Sequence, residues 1–109
     1  MRQLSEGNAE FEIELLQMFV SDTQLRLAAI KTAIATNDFG QIQHQAHQLK
    51  GASANIGATT MHLYAQKIEK LARYEQLEDT ESLLSNLEEV AQQIQTYLNN
   101  LAANQENLN

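Results

Sequence analysis

Four runs of mainly apolar residues along this chain recur with the period of one face of an α-helix, and in three of them the spacing alternates between three and four positions. No stretch shows the alternation typical of a β-strand. The chain has no proline and only 4 glycines in 109 residues, so little interrupts long helices. The runs are Ile13 to Ile34, Ile42 to Ile56, Met61 to Ala72 and Leu84 to Leu101. They predict an all-α fold, an antiparallel up-down-up-down four-helix bundle.

Residues with cap preferences predict the boundaries of the first two helices. Asn8 is a candidate N-cap for the first helix, and the cluster at residues 21–23 (Ser-Asp-Thr) is a candidate point for a kink in it. Asn37 or Asp38 should end this helix and cap the second. Gly57 is placed to end the second helix in the left-handed conformation.

The remaining boundaries divide the chain into three parts. We predict a lead-in over residues 1–7, the bundle over residues 8–101, and a frayed tail over residues 102–109, which lack apolar periodicity. The third helix should run from Thr59 to about Tyr74.

Composition excludes several classes of function. A net charge of −7 leaves no basic patch for phosphate backbones, so we expect no nucleic-acid binding. The chain has no cysteine, no signal-peptide pattern and no apolar run of membrane-spanning length, which predicts a cytoplasmic protein without membrane association. Because four apolar stripes on short connections can cover one another, we expect a monomer rather than a coiled-coil dimer.

One turn of the second helix combines residues of unusual chemistry. His47 falls outside the apolar stripe of that helix, on its solvent side. Gly51 and Ala54 follow along the same side and leave a cleared strip of backbone beside the imidazole. Lys50 lies between this strip and the stripe, within reach of the ring. A glycine inside a helix costs roughly 1 kcal/mol relative to alanine, so access to His47 is a candidate reason for Gly51.

This stretch resembles a known motif. Residues 47–58 read HQLKGASANIGA, and residues 68–73, in the third helix, read IEKLAR. Together with the four-helix pattern over about residues 8–101, they closely resemble the histidine-containing phosphotransfer (HPt) domains of multistep two-component phosphorelays.

The resemblance implies a role for each residue of the site. His47 would accept and donate a phosphoryl group on Nε2, exchanging it with an aspartate. Lys50 would stabilise the phosphate oxygens, and Gly51 would give the partner access. Glu69 would hydrogen-bond the other ring nitrogen and orient the ring, and Arg73 would add positive charge. The partners implied are receiver domains of response regulators or of hybrid histidine kinases.

The chemistry requires such residue types independently of any family. Nε2 can attack phosphorus only if it holds the lone pair, so the proton must sit on Nδ1, where a carboxylate can fix it. The sequence contains no nucleotide-binding loop and no carboxylate cluster for Mg²⁺. We therefore expect a phosphoryl carrier without its own cofactor or metal, not an enzyme, with Mg²⁺ supplied by the receiver domain.

Other interpretations remain open at this point. The chain could be a helical module that binds receiver domains without being phosphorylated. It could also be the phosphoacceptor domain of a chemotaxis-type histidine kinase, although no kinase domain follows within this sequence. Glu69 and Arg73 could form a plain surface ion pair.

The sequence also allows predictions for the two other histidines and for the apolar residues of the first helix. We expect His44 to be a surface residue and His62 to be structural or at the surface. Ile13, Leu16 or a neighbour should supply apolar contact beside His47.

Overall fold

The computed structural model describes the backbone of residues 2–107 and the side chains of residues 10–104. Within these residues the chain forms four α-helices and no strand, as the apolar spacing predicts. The helices are α1 (Arg2–Ala35), α2 (Phe39–Ile56), α3 (Thr59–Arg73) and α4 (Thr80–Asn107). The all-α four-helix bundle is confirmed.

Each helix packs against two others, which closes the bundle. The contacting pairs are α1 with α2, α2 with α3, α3 with α4, and α4 with α1. The core between them comes from the predicted apolar stripes, and Ile30, Ile42, Leu49, Ile68 and Leu87 are completely buried. Burial of this apolar surface is the main favourable term holding the helices together.

Three helix ends close with the same backbone pattern. In each, two successive amides bond back to carbonyls three and five residues earlier, and the first of the two residues has a positive φ. This is the Schellman arrangement. The positive-φ residues are Asn37 after α1, Gly57 after α2 and Glu75 after α3, with φ of 55°, 77° and 55°. Gly57 is thereby confirmed as the residue that ends α2.

The predicted cap of α2 is also confirmed, in one of its two alternatives. Asp38 is the N-cap, and its carboxylate accepts a hydrogen bond from the backbone N–H of Gln41 at 3.1 Å. This bond satisfies one of the free amides of the first turn.

Two helix ends differ from those that the sequence predicts. α1 begins at Arg2, so Asn8 lies inside the helix and is not its cap. α4 continues to Asn107, so residues 102–107 are helical rather than frayed, and residues 108–109 lie outside the described residues. α1 runs through residues 21–23 as one assigned helix. A kink there and the division of the chain at residues 8 and 101 stay predictions.

The helices differ in length: α1 and α4 have 34 and 28 residues, and α2 and α3 have 18 and 15. Because the helix rises about 1.5 Å per residue, α1 and α4 extend beyond the turn that joins α2 to α3. None of the described helices is long and apolar enough to cross a membrane.

Candidate functional site

His47 is exposed in the middle of α2, as its position outside the apolar stripe predicts. Ile42, Ala46, Leu49 and Ser53 of the same helix are buried and fix its orientation in the bundle. The His47 side chain keeps 59% of its surface exposed. One edge of the imidazole is therefore open to a partner, while the other faces α3.

α3 places a carboxylate directly against the ring. Glu69 Oε2 lies 2.8 Å from Nδ1 of His47, and the Glu69 side chain is only 7% exposed. An almost buried glutamate is rare unless it is paired. Glu69 is adjacent to Ile68, a core residue, so the packing of α3 holds the carboxylate against α2.

The Glu69 carboxyl stays ionised despite its burial. Burial alone raises its pKa, but the hydrogen bonds from Lys50 and His47, together with their charges, outweigh that effect and lower the pKa below its ordinary value. A carboxylate only accepts hydrogen bonds, so the contact with His47 requires the proton on Nδ1. In the neutral ring, Nε2 then carries the lone pair.

The two predicted basic residues sit at different distances from Glu69. Lys50 Nζ is 2.7 Å from Glu69 Oε1, and its side chain is 26% exposed. Arg73 Nη2 is 4.0 Å from Glu69 Oε2, beyond hydrogen-bonding distance, and its side chain is mostly exposed. Lys50 is thus fixed in the site, and Arg73 stands at its edge.

The helix does not need a glycine at position 51 for packing. A Cβ added to Gly51 would meet no atom within 4 Å, and Gly51 lies in the interior of α2. Internal sterics therefore do not account for this residue. The space it leaves is outside the protein, next to His47.

Sequence reasoning missed one polar contact at this site. His62 of α3 places Nδ1 3.0 Å from the backbone oxygen of Lys50. His62 and Glu69 are seven residues apart, two turns along one side of α3, and this spacing was the available signal. His44 is exposed, as expected.

A row of exposed apolar residues on α1 was also missed. Ile13 and Leu16, the two residues named for apolar contact, are half-buried. Large apolar side chains are exposed instead on the neighbouring face, at Phe11, Leu15, Met18 and Leu25. We call these four residues the α1 stripe.

α1 packs against α2, and one polar contact between these helices involves the residue that follows Leu25. Arg26, next to Leu25, donates from Nη1 to Oε1 of Gln45 at 3.1 Å, and Gln45 precedes His47 by two residues. By helical period Leu15 falls nearest to the side of Arg26, whereas Met18 and Leu25 lie about a quarter of a turn further round α1. Gln45 and His47, two positions apart, lie on nearly opposite sides of α2.

No group of three or more His, Cys, Asp or Glu side chains within the described part of the chain is arranged to hold a metal ion.

Comparison with known proteins gives consistent similarities. The profile of the family described as "Hpt domain" matches residues 14–107. The chain is 29% identical over 101 residues to phosphorelay intermediate protein rdeA of Dictyostelium discoideum, which covers 92% of this chain and 39% of that protein. It therefore spans about two fifths of the length of that relative.

Two solved structures are similar to the bundle. Histidine-containing phosphotransfer protein B (HptB) from Pseudomonas aeruginosa PAO1 has a TM-score of 0.77 and 28% identity, covering 81% of this chain and 76% of that one. The HPT domain of the Hpt sensor hybrid histidine kinase from Shewanella has a TM-score of 0.71 and 23% identity, covering 93% and 89% of the two chains. At 23% identity, the similarity to the Shewanella domain supports the fold alone.

Proposed function

Because the chain belongs to the Hpt domain family, we propose that it is a histidine phosphotransfer protein that carries a phosphoryl group on Nε2 of His47. The observation that supports this site most strongly is the 2.8 Å contact between Glu69 Oε2 and Nδ1 of an exposed His47. This contact leaves the lone pair on Nε2, the ring nitrogen that does not contact Glu69.

The transfer step uses this arrangement directly. Nε2 of His47 attacks phosphorus of an aspartyl phosphate on a receiver domain, and the bond from phosphorus to the aspartate oxygen breaks, which releases the aspartate carboxylate. The Nδ1 proton stays on the ring, so the phosphorylated imidazole is formally cationic. Ionised Glu69 stabilises that charge as it develops. The reverse reaction returns the phosphoryl group to an aspartate.

Lys50 and Arg73 supply positive charge for the phosphoryl oxygens. An ammonium has three N–H donors, and Glu69 engages Lys50 Nζ through one oxygen, so donors remain for phosphate. Arg73 is exposed at the edge of the site and adds charge without a fixed contact. With one carboxylate and two cations around His47, the site is locally basic in a chain whose net charge is −7.

Gly51 gives the partner room to reach Nε2. Transfer between two proteins requires the aspartyl phosphate to come within a few ångströms of His47. A side chain at position 51 would stand in the open space beside the ring, and α2 itself has no need of the glycine.

The partner in this proposal is a receiver domain of a response regulator or a hybrid histidine kinase, with Mg²⁺ bound on the receiver. The α1 stripe offers an exposed apolar surface on a helix that packs against α2, suitable for docking. We further propose that the protein is a cytoplasmic monomer that acts as a carrier.

The test is phosphotransfer from a receiver domain charged with acetyl phosphate to wild type, His47→Gln and His44→Gln. We expect acid-labile, base-stable label on wild type and His44→Gln and none on His47→Gln. Label that persists in His47→Gln would place the phosphoryl group elsewhere. Absence of label from every variant, across several receivers, would favour a binding module that is not phosphorylated.

A further inference from the structure

His62 makes a contact whose proton can be assigned from chemistry alone. Its Nδ1 lies 3.0 Å from the backbone oxygen of Lys50. A carbonyl oxygen only accepts hydrogen bonds, so Nδ1 of His62 must carry a proton and donate it. The bond joins α3 to the turn of α2 that carries Lys50 and His47.

α3 therefore contacts this turn at two points. Glu69 accepts from the side chains of His47 and Lys50, and His62, two turns earlier on the same side of α3, donates to the Lys50 main chain. One contact holds the functional groups, and the other holds the backbone from which they extend. Both are directional contacts between α3 and this turn of α2.

The apolar part of this interface is less directional. Ala46, Ala65 and Ile68 are buried. The free energy gained by burying them depends on the apolar area removed from water and not on one fixed distance. The hydrogen bonds that Glu69 accepts operate within a window of a few tenths of an ångström. A directional bond near Glu69 is what limits sliding of α3 on that scale.

We propose that His62 is a positioning residue for phosphotransfer: its bond to Lys50 O fixes α3 along α2 so that Glu69 meets Nδ1 of His47. Only the rate measurement that tests this proposal rests on the function proposed above. Position 50 lies within α2, where its carbonyl also accepts the helical hydrogen bond from the amide four residues later. Removing His62 thus leaves no orphaned carbonyl, and variants at this position should fold.

The experiment compares His62→Leu, His62→Asn and His44→Leu with wild type. Leucine has similar bulk and no donor, whereas the asparagine amide places an N–H near the position of Nδ1. His44→Leu is the matched control, because His44 is an exposed histidine on the same helix as His47. Far-UV circular dichroism establishes that each variant is folded.

The first readout is the ¹⁵N spectrum of the neutral His47 ring, which reports its tautomer without any phosphorylation. We expect the share of the Nδ1–H form to fall in His62→Leu and to return in His62→Asn. The second readout is the transfer rate at saturating receiver, which we expect to fall roughly three- to tenfold in His62→Leu alone.

Each outcome decides the proposal. An unchanged His47 tautomer in folded His62→Leu, or equal losses in His62→Leu and His62→Asn, would overturn it. A change of similar size in His44→Leu would also overturn it. If wild type accepts no phosphoryl group, the proposed function fails, and the tautomer measurement still decides the role of His62.

Discussion

At the scale of single residues, Glu69 links the charge balance of the site to its chemistry. Its carboxylate is almost completely buried, yet it is held ionised by His47 and Lys50. Burial of such a charge is expensive unless partners compensate, so the three side chains act as one unit. Their position on two different helices means that the unit exists only in the folded protein.

Replacing the charge while keeping the shape should slow transfer. We expect Glu69→Gln to lower the rate of phosphotransfer to His47 about tenfold, because the amide stabilises a ring cation less well than a carboxylate. Arg73→Gln is the control, since Arg73 lies 4.0 Å from the carboxylate. We expect the logarithm of its loss in transfer rate to be less than half of that for Glu69→Gln. The measurement is single-turnover transfer from a charged receiver domain. Equal rates in wild type and Glu69→Gln would remove Glu69 from the mechanism.

The same carboxylate should make stability depend on acid. The pKa of Glu69 is lowered in the folded state, so its stabilising contribution is complete above the ordinary pKa of glutamic acid and is lost as the pH falls through the lowered value. We therefore expect wild type to exceed Glu69→Gln in unfolding free energy at pH 6, and this difference to shrink by pH 3. Urea unfolding at both pH values measures it. A difference that is constant with pH would contradict the assignment.

Gly51 should show a conflict between stability and function. Because a Cβ at position 51 meets no atom within 4 Å, Gly51→Ala should stabilise the protein by about 1 kcal/mol and raise Tm by roughly 4–8 °C. Transfer should nevertheless slow, and should slow further in Gly51→Gln, whose side chain extends into the space beside His47. Thermal unfolding and transfer rates on the same samples test both parts. Unchanged transfer in Gly51→Gln would show that the partner does not use this space.

At the scale of helices, the boundaries show what local sequence can and cannot determine. Asp38 was predictable because an aspartate carboxylate is favoured at an N-cap. Gly57 was predictable because glycine, which has no Cβ, is favoured at the left-handed position that ends a helix. Glu75 adopts the same left-handed conformation as Gly57, but glutamate carries no preference for it. Asn8 has a capping preference, yet α1 passes through it, because a continuous helix satisfies the same amides without a cap.

The strained end of α3 offers a test of this reasoning. Glu75 has φ of 55°, a conformation that costs a residue with a Cβ about 1–2 kcal/mol more than glycine. Part of that is offset by the greater freedom of glycine in the unfolded chain. We expect Glu75→Gly to stabilise the protein by about 0.5–1 kcal/mol in urea unfolding, with transfer unchanged. Gly57→Ala, the reverse change in the same motif, should destabilise it. Destabilisation by Glu75→Gly would mean that the Glu75 side chain makes a contact that outweighs the strain.

At the scale of the whole molecule, the apolar periodicity predicted the fold but not the exposed α1 stripe. Heptad spacing at Val20, Leu27 and Ile30 identifies core positions because burying them is the main source of stability. The α1 stripe has a similar spacing, and Asp22 interrupts it. Spacing alone does not distinguish a face covered by neighbouring helices from one left exposed, which is why the sequence pointed to Ile13, Leu16 or a neighbour without a choice among them.

Because the α1 stripe is exposed, its contribution to binding can be separated from its contribution to folding. Met18 and Leu25 keep 69% and 72% of their surface exposed, so replacing both with serine removes little buried area and should change the unfolding free energy by less than about 0.5 kcal/mol. If a receiver domain covers these side chains, their loss weakens docking without altering the geometry at His47. We expect the receiver concentration for half-maximal transfer to rise about tenfold, with little change in the saturating rate, since two exposed apolar anchors contribute about 1–2 kcal/mol.

Leu63→Ser and Tyr74→Ser are matched controls for this double variant, because both residues are large exposed side chains outside α1. They should leave half-maximal transfer within about twofold of wild type, as surface substitutions outside a contact usually do. The measurement is the transfer rate as a function of receiver concentration for all three variants. A shift of equal size in the controls would mean that general surface polarity, rather than the α1 stripe, governs docking. A loss of saturating rate in the double variant would mean that the α1 stripe positions the receiver for reaction as well as binding it.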